Sequence, residues 1–316
     1  MTVLLTGAAG FVGNHAVRRL AGTGRPVRAL VRNVGKAHQR LADVADKIEI
    51  VQADVTDREA LAPLMEGVTT LIHLVAIALE KPGQTYETVN DQGTVNVVDA
   101  ANQAGVERFI FMSQNGADSA SPHRFLRSKG RAQDYVARHG RNWTALRPSS
   151  IFGPQDEFFN AIARMVRLTP VVFPLIGGGT ARFQPVSVYD VTESIVRSLD
   201  DHTTFGKALD LGGPEVLTLA EIERRILAAL HTHRLLFPAP VSLLRLPVLI
   251  MERILPGSPV SSDLLDLLAM PNVVEDNALV THFGIEPTPF KGEHIAYLEN
   301  NTVDVALRKI FKGETV

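Results

Sequence analysis

The chain reads as an α/β protein built on a Rossmann-type, doubly wound parallel sheet, followed by a smaller mixed α/β region. Two observations predict this. Between Val3 and Arg147, short β-rich runs alternate with longer helical patterns, the signature of βαβ units. The first run leads straight into a glycine-rich turn, Gly7-Ala8-Ala9-Gly10-Phe11-Val12-Gly13, and then into helical periodicity.

The expected strands are Val3–Thr6, Val27–Val31, Ile48–Gln52, Thr70–Leu74, Arg108–Met112 and Trp143–Arg147. Several are nearly continuous apolar runs, as strands become when helices cover both faces of a sheet. After Arg147 proline and glycine recur, at Pro148, Gly153, Pro154, Pro170, Pro174, Gly177–Gly179 and Pro185. The chain therefore divides into a nucleotide-binding domain over residues 1–150 and a smaller, partly interleaved region for substrate or partner over 151–316. Thr218 and Glu221 form a capping box ahead of an apolar-periodic run, predicting a helix over Leu219–Leu230. Leu235–Phe290 is rich in leucine and proline without a clear period.

Composition sets the outer bounds. With 316 residues, 45% apolar and 21% charged, the chain has an ordinary globular balance and room for a sizeable core. A net charge of −2 supplies no field for nucleic acid, so no nucleic-acid partner is expected. The absence of cysteine excludes disulfides, thiolate metal sites and cysteine nucleophiles, and fits a reducing, cytoplasmic setting. The ten histidines show no ligand spacing with carboxylates, so no metal site is expected. Strand-like sequence from Val3 leaves no room for a signal peptide. The most apolar stretch, Leu235 to Met251, carries Arg245 and three prolines and reads as core or as a segment lying on a membrane or protein surface, not as a span.

The glycine turn carries the first chemistry. Gly7 permits a tight turn, Gly10 lets the backbone approach a pyrophosphate, and Gly13 lets the new helix pack close to the sheet. The helix N-terminus then presents N–H groups and a partial positive charge to the anion. Ala9, Phe11 and Val12 complete that cradle. The residue closing the second strand selects the dinucleotide. A carboxylate there suits a free ribose 2′-hydroxyl and an arginine suits a 2′-phosphate. The residue is Arg32, followed by Asn33, Lys36 and Arg40, so NADP(H) is expected in preference to NAD(H). Asp54, just past the third strand, is placed to accept from the adenine amino group or to cap the following helix.

The glycine loop, Asp54-Val55, His73-Leu74-Val75-Ala76 and Arg147-Pro148-Ser149-Ser150-Ile151-Phe152-Gly153-Pro154 together resemble the extended and atypical short-chain dehydrogenases/reductases, a group that includes epimerases and dehydratases. Pro174–Gly179, Arg182-Phe183-Gln184-Pro185-Val186, Asp190-Val191 and Leu211–Glu215 narrow the resemblance to the nucleotide-binding accessory subunit of respiratory complex I and its bacterial relatives. The resemblance implies NADP(H) with its adenine near Asp54 and Val55. It implies a nicotinamide end near Leu74, Val75, Ala76, Ser113, Lys129, Pro148, Ser149 and Ile151.

Enzymes of this superfamily pair a tyrosine with a lysine four residues later, on one helical face. The lysine holds the ribose and lowers the tyrosine pKa, so that the phenol moves a proton while hydride moves at the ring. Here the lysine is Lys129 and the residue four before it is Phe125, which has no proton to give. The family's partner hydroxyl falls at Ser113, with Gln114 and Asn115 as alternative alignments. Tyr135 should point elsewhere on the helix, and Tyr86 and Tyr189 lie on other elements. His73 reads as a packed imidazole, Asn90 as a backbone-bonding asparagine, and Lys129 as a ribose contact or a solvated helix lysine. The basic run Arg124, Arg127, Lys129, Arg131, Arg138 and Arg141 reads as a charged helix face. Three functions are compatible with these residues: a dinucleotide-binding protein with weak or no dehydrogenase activity; an NADP-dependent oxidoreductase, epimerase or dehydratase acting on an unknown small molecule; or an interaction subunit of a respiratory assembly.

Overall fold

The computed structural model describes residues 2–254, 265, 268 and 270–312. The chain divides into two compact units, one comprising Met1–Pro148, Val188–Leu211 and Asp276–Ile285, the other Ser149–Ser187, Gly212–Glu275 and Glu286–Val316.

The first unit carries a seven-stranded sheet. Six strands fall where the apolar runs predict them: β1 (Thr2–Thr6), β2 (Val27–Val31), β3 (Ile48–Gln52), β4 (Val68–His73), β5 (Arg108–Met112) and β6 (Trp143–Pro148). The second unit supplies the short strands β7 (Ile151–Phe152), β8 (Val172–Ile176), β9 (Arg182–Phe183) and β10 (Val186–Ser187). The first unit's seventh strand, β11 (Lys207–Leu211), is absent from the sequence-based expectation of six. The order is β11-β6-β5-β4-β1-β2-β3, every neighbour parallel, so the chain reverses its direction of travel between β1 and β4.

Helices cover this sheet with small and branched side chains. Helix α1 (Phe11–Ala21) buries Ala16, Val17 and Leu20, and α2 (Val34–Arg40) buries Ala37. The single turn α3 (Arg58–Leu61) buries Leu61, and α4 (Gly93–Gln103) buries Val97, Val98 and Ala101. Helix α5 (Arg124–His139) buries Leu126, Ala132 and Val136. Burying a valine or leucine side chain fully contributes ~1.5–3 kcal/mol.

Polar contacts explain why β11 joins the edge. Asp210 stands in register with Arg147 of β6, and the two form a bidentate ion pair at 2.6 and 2.8 Å. At the other end of the strands the buried Arg108 donates to Ser198 O at 2.7 Å and to Thr144 and Thr204 Oγ1 at 2.8 Å each. These bonds tie β5 to the end of a helix over Val188–Ser198 and to the turn that leads into β11.

The second unit pairs β7 with β10 and β8 with a further strand, β13 (Leu235–Ala239), in parallel, and β9 with β12 (Leu217–Thr218) antiparallel. Its core gathers Phe152, Phe159, Phe173, Phe183, Ile226 and Phe290. The helix over Leu219–Ala229 begins with the predicted capping box, Thr218 and Glu221 each satisfying the other's backbone. The stretch that lacked a sequence period contains β13 and the helix Val241–Ile254; residues 255–264, also within that stretch, lie outside the described residues. Among the described residues no helix is long and apolar enough to cross a membrane.

Candidate functional site

The glycine turn, the loop after β4 and the end of β5 meet at the carboxyl side of the sheet, where the strand order reverses. Open α/β sheets hold ligands outside these strand ends.

The turn after β1 has the shape that glycine alone allows. Gly7 lies at φ +76°, and a Cβ there would press on Val75 Cγ2 at 3.2 Å. A Cβ on Gly13 would stand 2.0 Å from the Gly7 carbonyl oxygen, so any side chain would push α1 off the sheet. Gly10 N–H donates to Gly7 O at 2.8 Å and closes the turn. Gly10 is also the N-cap of α1 and has no side chain with which to cap it, which leaves the first N–H groups, at Phe11 and Val12, to an anion. This cradle, which Cβ atoms would fill, fits a dinucleotide pyrophosphate.

Beyond β2, Arg32 is half-exposed, and its Nη1 lies 3.9 Å from Asp54 Oδ2. Asp54 Oδ1 accepts from Thr56 N and Oγ1 at 2.9 and 2.8 Å. The cap of the following helix is instead Asp57, which accepts from Glu59 N and Ala60 N, so that alternative for Asp54 is corrected. Val55 is buried in the core and abuts Gly93.

Past the end of β4, Leu74 N–H donates to Thr6 O at 3.4 Å, Val75 leans on Gly7, and Ala76 is exposed. Lys129 is not a solvated helix lysine. It is 4% exposed, its Nζ donates to Met112 O at 2.6 Å, and it sits 4.7 Å from the centre of the Phe111 ring. Burial pushes its ammonium down to about 7. Ser113 adjoins Lys129's acceptor, and its buried Oγ has no hydrogen-bond partner among the described residues. Gln114 and Asn115, the alternative alignments, are partly exposed. Pro148 closes β6; Ser149 and Ile151 belong to the second unit, where Ser149 Oγ donates to Gln184 O and Ile151 pairs with Val186.

Phe125, one turn before Lys129, packs edge-on against Tyr86 with ring centres 5.7 Å apart. Tyr86 is fully buried and donates its hydroxyl to Ala78 O at 2.9 Å. Tyr135 donates to Asp99 at 2.7 Å, and Tyr189 is largely exposed beside His15. Two members of the basic helix face are paired locally: Arg124 with Glu80 and Glu87, and Arg131, 3.9 Å from Asp91.

A buried polar chain lies behind these groups, and only two of its members, His73 and Asn90, stand out in the sequence. Asn90 sits in a π-helical turn, Glu87–Gln92, of the kind often found at functional sites. Thr94 Oγ1 donates to Asn90 O at 2.7 Å and meets His73 Nε2 at 3.1 Å, so Nε2 carries the imidazole proton. Nδ1 then accepts from Thr6 Oγ1 at 2.7 Å. Burial, with Lys129 nearby, holds His73 neutral and pushes its pKa down to about 3. Asn90 Nδ2 donates to Ile77 O and Ser128 Oγ at 3.1 Å each, and Ser128 Oγ donates to Phe125 O at 2.7 Å. Thr6, Thr94 and Ser128 gave no sequence signal, because hydroxyls on elements far apart in the chain look like ordinary helix and strand residues.

A family model described as NAD(P)H-binding matches residues 7–201. The chain belongs to this family. Among its relatives, subunit 9 of the NADH dehydrogenase [ubiquinone] 1 alpha subcomplex from Arabidopsis thaliana is 33% identical over 220 residues, 68% of this chain and 54% of that protein. The Mus musculus counterpart is 30% identical over 75% of this chain and 63% of its own length. The chain therefore spans between half and two thirds of these relatives. The 3 beta-hydroxysteroid dehydrogenase/Delta 5-->4-isomerase of Mycobacterium tuberculosis is 29% identical over 72% of the chain and 69% of that enzyme. The Thermus thermophilus UDP-glucose 4-epimerase, solved with NAD, shares the fold at a TM-score of 0.70 and 23% identity, covering 97% of this chain and 99% of its own. The fold and relatives place the chain among the extended short-chain dehydrogenases/reductases.

The Lys129 environment makes a pH prediction. Its folded pKa of about 7 lies below the ordinary 10.5, so the unfolded chain binds the extra proton between these values and stability rises with pH across that window. Below it the folded protein carries the full cost of a buried charge. Lys129→Met should therefore melt higher than the parent near pH 6, with the advantage shrinking toward about pH 10. Melting curves across that range check this; a pH-independent difference would contradict it.

Proposed function

We propose that this chain is an NADP(H)-binding protein with weak or absent dehydrogenase activity. The observation that carries the reading is the turn from Phe125 to Lys129: the lysine is buried against Met112 O, while the position one turn earlier holds a phenyl ring packed on Tyr86. A nicotinamide nucleotide, when bound, supplies or accepts hydride. On this reading the N–H groups at Phe11 and Val12 hold the pyrophosphate, and Arg32 takes the 2′-phosphate. Asp54 and the backbone at Val55 face the adenine, and Lys129 and Ser113 hold the ribose at the nicotinamide end. Leu74–Ala76 form the wall beside the ring. Proton transfer to a carbonyl oxygen then lacks its positioned phenol. A ligand bound only by the folded state stabilises it, by ~2.7 kcal/mol at a hundredfold excess over Kd, so the cradle is useful without turnover.

Calorimetric titration of the ligand-stripped protein with NADPH and NADH tests the nucleotide. Tighter binding of NADPH is expected, with Arg32→Ala losing about tenfold for NADPH and less than about twofold for NADH. Equal affinities in the parent protein would sink the preference. A second measurement addresses catalysis: Phe125→Tyr should raise NADPH-dependent reduction across an aldehyde and ketone panel by about a hundredfold, the scale of one positioned acid. Brisk turnover by the parent protein would favour instead an active oxidoreductase, epimerase or dehydratase with another proton donor.

A second reading, an interaction subunit, is favoured by the helix Val241–Ile254. Its solvent side carries Leu243, Leu246, Leu249 and Ile250, all at least half exposed, where a surface helix is ordinarily polar. The kinship with NADH dehydrogenase subunits supports a protein partner for that face. Affinity purification from native membranes should recover the protein with a membrane-bound assembly and lose it with Leu246→Glu/Ile250→Glu. Recovery of the parent protein alone at low salt would count against the subunit role.

A further inference from the structure

We infer that the loop after β4 is an apolar wall that selects a substrate carrying a hydrocarbon chain; this rests on the reading above in which Leu74–Ala76 flank the nicotinamide ring. Six apolar residues follow one another there, Leu74-Val75-Ala76-Ile77-Ala78-Leu79, on the carboxyl side of the sheet where open α/β folds hold ligands. Ala76, Ala78 and Leu79 are exposed, Leu79 by 37%, and Ile77 is partly so. Single apolar side chains at a surface are ordinary, whereas an unbroken run of them belongs to a surface with a use.

The run faces solvent because polar groups hold its backbone from behind. Asn90 brackets Ile77, accepting from its N–H at 2.8 Å and donating to its carbonyl at 3.1 Å. Tyr86 donates its hydroxyl to Ala78 O at 2.9 Å, and Glu80 accepts from Tyr86 N–H at 2.8 Å while pairing with both Nη atoms of Arg124 at 2.7 and 2.9 Å. Each of these bonds uses loop backbone or Glu80, so the apolar side chains take no part in the fastening and the surface is formed before a ligand arrives. The same bonds decide which ligand fits. The side chains of residues 74–79 carry no donor or acceptor, and the N–H of Ile77 and the carbonyls of Ile77 and Ala78 are already engaged. Phe125, packed on the same Tyr86, adds none. A hydroxyl-rich molecule pressed on this wall would lose its bonds to water unreplaced, while each methylene of a hydrocarbon chain would gain by leaving water.

Titration of the NADPH-loaded protein with straight-chain alcohols from hexan-1-ol to decan-1-ol, and with sorbitol, tests the wall. An alcohol beside the reduced nucleotide stays intact, so binding alone is read. Affinity should rise about threefold with each added methylene, and sorbitol, which shares the carbon count of hexan-1-ol, should bind at least about tenfold more weakly than it. Leu79→Asn and, independently, Ala78→Asn should each weaken decan-1-ol about fivefold and change NADPH affinity by less than about twofold. Equal affinities along the alcohol series, sorbitol as tight as hexan-1-ol, or decan-1-ol affinity unchanged in both variants would overturn the inference while the measured NADPH binding keeps the nucleotide reading. The opposite failure is distinct: a protein that binds no NADPH yet shows the chain-length dependence, with its loss in the two variants, would remove the nucleotide reading and support the apolar wall.

Discussion

Helix α1 starts so close to the sheet that its first turn has no space for a side chain at residue 13, where a Cβ would sit 2.0 Å from the Gly7 carbonyl. That contact governs the whole turn between β1 and α1. It sets the helix N-terminus over the end of β1, seats Ala16, Val17 and Leu20 on the sheet, and confines the turn to a backbone that only Gly7 adopts without strain. Because β4 runs beside β1, the same turn also packs on Val75, so the glycine turn and the loop after β4 share one wall. A substitution at residue 13 would therefore disturb the helix and the turn together.

Much of the first unit was legible because its signals are local. β2, β3 and β5 fall within the bounds read from their apolar runs, and β4 and β6 differ by one or two residues at their ends. β11 escaped because Lys-Ala-Leu-Asp-Leu is half polar, and what makes it a strand is a partner more than sixty residues earlier. Arg147 and Asp210 complete one another only when β6 and β11 lie in register. The return of Val188–Leu211 and Asp276–Ile285 to the first unit is equally non-local, and no composition change marks it.

The site shows the same division. The glycine turn and Arg32 are contiguous with the strands that display them, so sequence places both. The surroundings of Lys129 were not legible. The resemblance singles it out as a ribose contact, but its place in a run of arginines left a solvated charge equally open; the turn of α5 aims it inward at Met112 O, and burial lowers its pKa. Arg40 was likewise visible only as one of several basic residues after Arg32; its bond to Ala9 depends on how α2 folds back on α1.

The substitution at residue 125 is narrow in its consequences. The chain Thr6–His73–Thr94–Asn90–Ser128 satisfies its own donors and acceptors through backbone and hydroxyl groups, and ends on the carbonyl of Phe125, not on its side chain. A phenol in place of the phenyl would leave every one of those bonds unchanged. Buried polar networks that are fully satisfied rigidify the elements they join, and this one joins the root of the glycine loop to the helix that carries Lys129. A phenyl ring at residue 125 is therefore compatible with an intact network, which is the physical support for the proposed separation of nucleotide binding from turnover.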